Sequence, residues 1–223
     1  GGADQSTKTE NQAAGHARVL KQKAQASQRA AKKIRPTLSA TELRQLNSIS
    51  RLARKAATNK TARQQLDRQW AALVKSRASR KPALDIDALV QAALFDAWRD
   101  EQRTLQRDIY NLHRANALKK KMRSEINRAR AHRQQMASLP KDKQVYRPAR
   151  IKGVQTRAIT DPADMDRHIQ SLESRHKTAG DDAQMLMLQL QQKQQKQQQL
   201  IQTLSSLMKT MHDTAQSIVR KIG

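Results

Sequence analysis

The feature that most constrains the fold of this chain is an apolar repeat with steps of three and four residues near the C-terminus. Such steps return a side chain to the same face of an α-helix. The repeat continues without a slip over about five heptads, which is typical of a helix that packs against another helix. We call it the C-terminal seam. Its positions are Met187, Leu190, Gln194, Gln197, Ile201, Leu204, Met208, Met211, Ala215, Ile218 and Ile222.

Composition supports a fold made of helices alone. Aromatic residues are 2% of the chain, and there are only 6 Gly and 5 Pro. A thick multilayer core is hard to build without aromatic side chains, whereas long helices can pack along narrow stripes of Leu, Ile, Met and Ala. No alternating strand pattern of useful length occurs. We therefore expect an all-α, elongated hairpin or bundle of long helices, with a C-terminal coiled-coil helix and a flexible basic N-terminus.

The N-terminal part of the chain divides into two segments. Residues 1–37 are polar and show no convincing apolar stripe, so we expect a disordered basic arm. Residues 38–82 begin with Ser39 and Glu42 in capping-box spacing and predict a helical hairpin or one kinked helix.

The middle of the chain is expected to form one long helix over residues 83–138. Asp85 and Asp87 at its start suit the positive end of the helix dipole. Asn116 and Lys119 fall near its apolar stripe, and a polar residue in such a stripe usually sets the alignment of the packed helices.

The C-terminal part divides into three segments. Residues 139–160 hold Pro140, Pro148 and Gly153 and predict a solvated basic linker. Asp161 and Pro162 mark the start of a short helix over 161–179, since Pro is favoured at the first helical position. Gly180 is expected to end that helix, and residues 181–223 to form the coiled-coil helix that carries the seam.

Positive charge is concentrated in one part of the chain. Residues 1–160 hold 36 Lys and Arg against 12 Asp and Glu, a net charge of +24, whereas residues 161–223 carry only +1. A chain of this charge repels itself unless an anionic partner neutralises it. The candidate polyanion-binding residues are Lys21, Lys23, Lys32, Lys33, Arg35, Arg51, Arg54, Lys55, Arg114, Lys119, Lys120, Lys121, Arg123, Arg128 and Arg130. A solvated helix face is the alternative explanation of these charges.

The sequence offers no catalytic or cofactor-binding motif. There is no cysteine, and the six histidines are dispersed without the spacing of a metal site. No glycine-rich phosphate loop and no nucleophile motif occurs. The pairs Asp85/Asp87 and Asp164/Asp166 lie at expected helix starts, where capping explains them. We therefore expect a non-enzymatic protein without a cofactor or a resident metal.

Two kinds of partner fit these observations. The charge favours nucleic acid or another polyanion, bound through phosphates without sequence specificity because stacking aromatics are absent. The seam favours a homo-oligomer or a helical assembly. The alternative is an exported or virion-type assembly subunit whose basic residues meet an acidic protein partner or an anionic membrane. We expect no transmembrane segment. A cytoplasmic location is favoured, with export without a cleavable signal peptide as the alternative.

The segment Gln184–Ile222 loosely resembles the long helices of exported proteins of bacterial injection systems, such as needle, filament and translocator subunits. The resemblance rests on the periodicity of this cysteine-free segment. It implies a C-terminal helix that packs against its own kind or polymerises.

Overall fold

The computed structural model describes residues 2–222, with side chains described from residue 5. The described chain is all-α and contains no strand, which confirms the predicted fold class as a helical bundle. The helices are α1 Gly2–Ile34, α2 Ala40–Ala56, α3 Lys60–Arg80, α4 Ile86–Ala93, α5 Phe95–Met136 and α6 Pro162–Ile222. Two single-turn 3-10 helices cover Arg35–Thr37 and Lys141–Lys143. No helix of the described chain combines the length and the apolar character that a membrane crossing needs.

The bundle separates into two compact units that do not follow the order of the chain. Unit 1 is made of the residues up to Glu10 together with Asp108–Leu190. Unit 2 is made of Asn11–Arg107 together with the residues from Gln191 onward. Helices α1, α5 and α6 each contribute to both units.

The largest difference from the sequence prediction lies at the N-terminus, where helix α1 replaces the expected disordered arm of residues 1–37. Small residues explain the difference, because they make up most of a buried stripe that a search for large apolar side chains does not find. Alanine also has the highest helix propensity, and small side chains allow close packing of helices. The buried stripe contains Ala13, Leu20, Ala24, Ser27, Ala31 and Ile34.

Helices α2 and α3 cover most of residues 38–82 and pack against each other. The capping box is present: Ser39 Oγ accepts from the Glu42 N–H at 3.2 Å, and Glu42 Oε1 accepts from the Ser39 N–H at 3.0 Å. Asn59 caps α3, with its Oδ1 accepting from the Ala62 N–H at 3.0 Å. Local capping chemistry thus sets where both helices begin.

The expected single helix over 83–138 is divided at Leu94 into α4 and α5. Asp85 caps α4 by accepting from the Ala88 N–H at 3.0 Å. The break has no Gly or Pro, so the sequence gives no sign of it. A tertiary contact accompanies it instead: Ser50 Oγ of α2 donates to the Ala93 carbonyl at 2.9 Å, beside the break. This bond satisfies a carbonyl where the helical ladder is interrupted.

The expected solvated linker over 139–160 is a packed part of unit 1. Tyr146, Ile151 and Ile159 are buried. Tyr146 and Ile159 exchange two backbone hydrogen bonds of 2.8 Å, which form an isolated antiparallel bridge. Both residues belong to a core cluster with Met136 of α5 and Met165 of α6. The apolar residues of this loop are spaced too irregularly to predict a helix or a strand. Their burial nevertheless holds the loop against α5 and α6.

Helix α6 joins the two segments that were predicted as separate helices over 161–179 and 181–223. It begins at Pro162 as expected, and Asp161 Oδ1 accepts from the Ala163 N–H at 3.2 Å. It does not end at Gly180. Ala179 and Ala183 are both buried, so the buried face continues through this glycine and packing outweighs its low helix propensity.

The C-terminal seam lies mostly on the buried face of α6. Leu190, Gln194, Gln197, Leu204, Met211 and Ala215 are buried, whereas Met187, Ile201, Met208 and Ile218 are partly exposed and Ile222 is exposed. Leu207, which lies outside the predicted seam, is also buried. In unit 2 the indole N–H of Trp70 donates to the Met211 carbonyl at 2.8 Å. Part of the seam thus packs against helices of the same chain.

Candidate polyanion-binding surface

Four of the fifteen predicted basic residues pair with carboxylates of the same chain. Lys33 Nζ lies 2.6 Å from Asp85 Oδ2, and Arg128 lies 2.9 Å from Glu125 Oε2. The other two pairs are Arg54 with Glu101 and Arg130 with Glu173. These cations are partly neutralised within the fold, so they contribute less to an external anion site.

Four more of the predicted residues contact neutral groups. Lys23 and Arg114 lie over aromatic rings, that of Trp98 at 5.0 Å and that of Tyr110 at 5.7 Å. Arg35 donates to Asn47 Oδ1, and Lys121 donates to the carbonyl of Arg150. Cation–π and carbonyl contacts orient a side chain without removing its positive charge.

The remaining seven predicted residues make no such contact with any described residue. They are Lys21, Lys32, Arg51, Lys55, Lys119, Lys120 and Arg123. Lys119, Lys120 and Arg123 are brought together on α5 in unit 1, where they line a groove of about 610 Å³. We call it the basic groove. The other residues of the set lie in unit 2.

The positive potential beside the basic groove acts on His176 of α6. Burial lowers the pKa of His176, and the charges of Arg123 and Lys119 lower it further. Both effects disfavour the protonated imidazole. Its Nε2 is buried and has no hydrogen-bond partner among the described atoms. The predicted site did not include His176, since its position beside Lys119 and Arg123 depends on how α6 packs against α5.

Residues near the start of α1 form the other wall of the basic groove. Asn116 Nδ2 donates to Ser6 Oγ at 2.7 Å and to Glu10 Oε1 at 2.8 Å. His113 Nδ1 lies 3.9 Å from Glu10 Oε2. Among the described residues, the groove therefore contains three cationic side chains and one carboxylate, and that carboxylate accepts from an amide. The predicted polar residue of the α5 stripe, Asn116, is satisfied by these contacts with α1.

A second array of basic residues follows the exposed face of α1 in unit 2. Arg18, Lys21, Arg29 and Lys32 are all exposed. Their spacing places them on one face of the helix, about 140° from the buried stripe of small residues at 100° per residue. We call this set the α1 basic stripe. The sequence prediction named Lys21 and Lys32 but not Arg18 and Arg29, because an arm expected to be disordered has no faces.

Unit 1 also contains a buried polar cluster around Glu125. The Tyr146 hydroxyl donates to Glu125, and Arg128 donates to both of its carboxylate oxygens. Burial raises the pKa of the Glu125 carboxyl, but the bonds from Tyr146, Arg128 and the Ala149 N–H outweigh this effect and lower it. Burial and the Glu125 carboxylate raise the pKa of Tyr146. The cluster ties the 139–160 loop to α5, so its role is structural.

No group of three or more His, Asp or Glu side chains in the described part of the chain is placed to hold a metal ion. Comparison of the chain with protein-family models, with curated proteins and with solved structures found no match.

Proposed function

We propose that this protein is a non-enzymatic helical protein that binds polyanions, nucleic acid above all, through phosphate contacts and without reading base sequence. The observation that carries the proposal is the basic groove, where Lys119, Lys120 and Arg123 converge and form no ion pair with any carboxylate among the described residues. Uncompensated cations at a concave surface raise the local concentration of an anionic ligand. Phosphate contacts give affinity without sequence information.

Three further features support the proposal. The α1 basic stripe offers a second set of exposed cations at helical spacing. The two tryptophans, Trp70 and Trp98, are each 1% exposed, so neither provides a platform on which bases could stack. Burial lowers the pKa of His176, and the positive charges of Arg123 and Lys119 lower it further.

The test compares two triple variants of equal net charge. Lys119→Gln, Lys120→Gln and Arg123→Gln together remove the cations of the basic groove. Lys60→Gln, Lys75→Gln and Lys209→Gln remove three exposed lysines of unit 2 that were not predicted to bind. Affinities for several unrelated duplexes of equal length are measured by fluorescence anisotropy between about 50 and 200 mM salt.

Each lost phosphate contact should reduce the slope of log affinity against log salt by about 0.9. We expect the groove variant to flatten the slope by two to three such steps and to weaken all duplexes equally. The control should change the slope by less than one step. Nucleic acid should also raise the pKa of His176, measured by NMR titration, because it neutralises Lys119 and Arg123. Equal effects of both variants, or a strong preference for one duplex, would contradict the proposal.

A second candidate is an assembly subunit, and exposed apolar residues on α6 favour it. Met185 is 58% exposed and Leu188 is 48% exposed, on a helix whose opposite face is packed. Large apolar side chains exposed together often mark a protein interface. Under this candidate the protein forms oligomers in nuclease-treated solution, and Met185→Gln with Leu188→Gln lowers the mass measured by light scattering. A monomer at all concentrations, with or without nucleic acid, would exclude it.

A further inference from the structure

A second cleft in unit 1 has no role in the proposed function. It lies between the 153–160 part of the loop and the N-terminal turns of α6, and its volume is about 520 Å³. This size is typical of pockets that take small ligands. It shares no lining residue with the basic groove.

Three arginines line this cleft, whereas Asp164 is its only carboxylate among the described residues. Arg167 pairs with Asp164, which leaves Arg157 and Arg175 without a carboxylate partner in the described chain. Guanidinium groups are flat, always charged and suited to two parallel hydrogen bonds with a phosphate. Two of them in one cleft, near the hydroxyls of Ser171 and Thr160, form a donor set for a tetrahedral anion.

Gly153 shapes the cleft in a way that no other residue would. Its φ is +81°, a conformation that favours glycine. A Cβ at this position would lie 2.8 Å from Arg175 Nη1. The missing side chain therefore allows the Arg175 guanidinium to lie against the backbone of the loop, so that its remaining donors are held at the cleft.

A buried histidine borders the cleft on the side of the Glu125 cluster. His168 lines the cleft and its side chain is 1% exposed. Its Nε2 has no hydrogen-bond partner among the described atoms, and the nearest carboxylate oxygen, Glu125 Oε1, is 3.7 Å away. That nitrogen lies toward Glu125, which does not line the cleft, so the His168 ring is a reporter beside the cleft and the arginines are its donors.

We propose that this cleft binds a phosphate dianion, either free or as a phosphate monoester, through Arg157 and Arg175. Ser171 and Thr160 complete the polar lining. The inference does not depend on the proposed function, because the basic groove and this cleft use different residues.

The test uses the full chain with two probes, inorganic phosphate and ribose 5-phosphate. Binding is followed by calorimetry and by the NMR signals of the His168 ring, assigned with His168→Gln. Arg157→Gln with Arg175→Gln removes the donors. Arg147→Gln with Arg150→Gln is the matched control, since both arginines are exposed in the same loop but do not line the cleft. Arg157→Lys keeps the charge and removes the flat fork.

We expect phosphate to shift the His168 signals and to bind at least tenfold more weakly to the Arg157/Arg175 variant, with less than a twofold change in the control. Arg157→Lys should weaken binding several-fold, which keeps the test valid if the double variant does not fold. Binding of inorganic phosphate alone assigns the free ion, and equal or tighter binding of ribose 5-phosphate assigns the monoester. An unmoved His168 signal, equal losses in the control, or binding of neither probe would overturn the inference.

Discussion

At the level of single residues, the buried carboxylate of Glu42 joins two helices of this basic protein. Glu42 is 0% exposed and closes the α2 capping box, while also accepting from Arg80 at 2.7 Å and from Ser76 at 2.7 Å. Burial raises the pKa of Glu42, but the bonds from Arg80, the Ser39 N–H and Ser76 outweigh it and lower the pKa to about 2. One carboxylate thus links the start of α2 to the end of α3.

The first prediction concerns the pH dependence that Glu42 creates. Its pKa is lower in the folded chain than the ordinary value of 4.5, so the folded state binds fewer protons between these two values. The stabilisation is therefore complete above pH 5 and is lost as the pH falls towards 2. Glu42→Gln should cost about 2 kcal/mol at pH 7 and much less at pH 3. Urea unfolding at the two pH values measures the difference.

Glu173→Gln is the matched control for this prediction. Glu173 also pairs with an arginine, Arg130, but its side chain is 42% exposed. An exposed pair contributes between about 0 and 1 kcal/mol. A cost at pH 7 as small for Glu42→Gln as for Glu173→Gln would show that the buried network does not stabilise the hairpin.

At the level of elements, the sequence predicts the helix ends that have a local signal. It does not predict the helix ends that depend on tertiary contacts. Ser39 with Glu42, Asp85, and Asp161 with Pro162 all mark helix starts that the structure contains. The break at Leu94 has no local signal in the sequence. It is accompanied by a contact with Ser50, which lies on a distant part of the chain. Gly180 predicts a helix end, but the helix continues through it because buried residues on both sides of the glycine pack on the same face.

The residues of the candidate site also divide into those with a local sequence signal and those whose position depends on tertiary packing. Lys119, Lys120 and Arg123 are found from charge alone, since they follow one another along a helix. His176, Arg157 and Arg175 are not, because their positions depend on how α6 and the 139–160 loop pack against α5. The α1 basic stripe was only half found, since the small buried residues that define its helix give a weak hydrophobic signal.

The second prediction uses glycine to test the continuity of α6. Gly180 lies inside the helix, and a Cβ there would meet Lys119 Cδ at 3.8 Å, an ordinary contact. Gly180→Ala should therefore stabilise the protein by about 0.5–1 kcal/mol. Gly15→Ala in α1, with nothing within 4 Å of the added Cβ, should act in the same direction. Thermal and urea unfolding measure both.

Gly153→Ala supplies the opposite outcome, because its positive φ and the Arg175 guanidinium at 2.8 Å both oppose a side chain. We expect a loss of about 1 kcal/mol or more. If α6 instead ended at Gly180 in the left-handed conformation that the sequence suggests, Gly180→Ala would destabilise the protein as Gly153→Ala does.

At the level of the whole molecule, the two units share helices but differ in charge. The chain segments of unit 2 hold 26 Lys and Arg against 8 Asp and Glu, whereas those of unit 1 hold 18 against 11. Unit 2 therefore carries most of the excess charge, while the basic groove with its converging cations belongs to unit 1. If the protein binds polyanions as proposed, unit 2 would provide most of the long-range attraction and the basic groove of unit 1 the close phosphate contacts.

The third prediction concerns the contribution of residues 191–223, the part of α6 that belongs to unit 2. Gln197 Nε2 donates to Glu101 Oε2 at 3.3 Å, and the Trp70 indole donates to the Met211 carbonyl, so this segment satisfies buried polar groups of unit 2. Its removal exposes apolar surface and leaves those groups without partners. The truncated chain should lose more helix by circular dichroism than the removed residues account for, with a red shift of tryptophan emission, since Trp70 and Trp98 both lie in unit 2.

Removal of residues 220–223 alone is the control, because Arg220, Lys221 and Ile222 are exposed and their loss should leave emission and melting unchanged.

A synthetic peptide of residues 191–223, added to the truncated chain, should restore the blue-shifted emission, since an isolated helix gains most of its stability from packing its apolar face. If the truncated chain keeps its emission and its melting temperature but has a lower mass in solution, the seam acts between molecules. That result would mean that the C-terminal seam holds separate molecules together and does not stabilise the single chain. The resemblance to filament and needle subunits implies such a role.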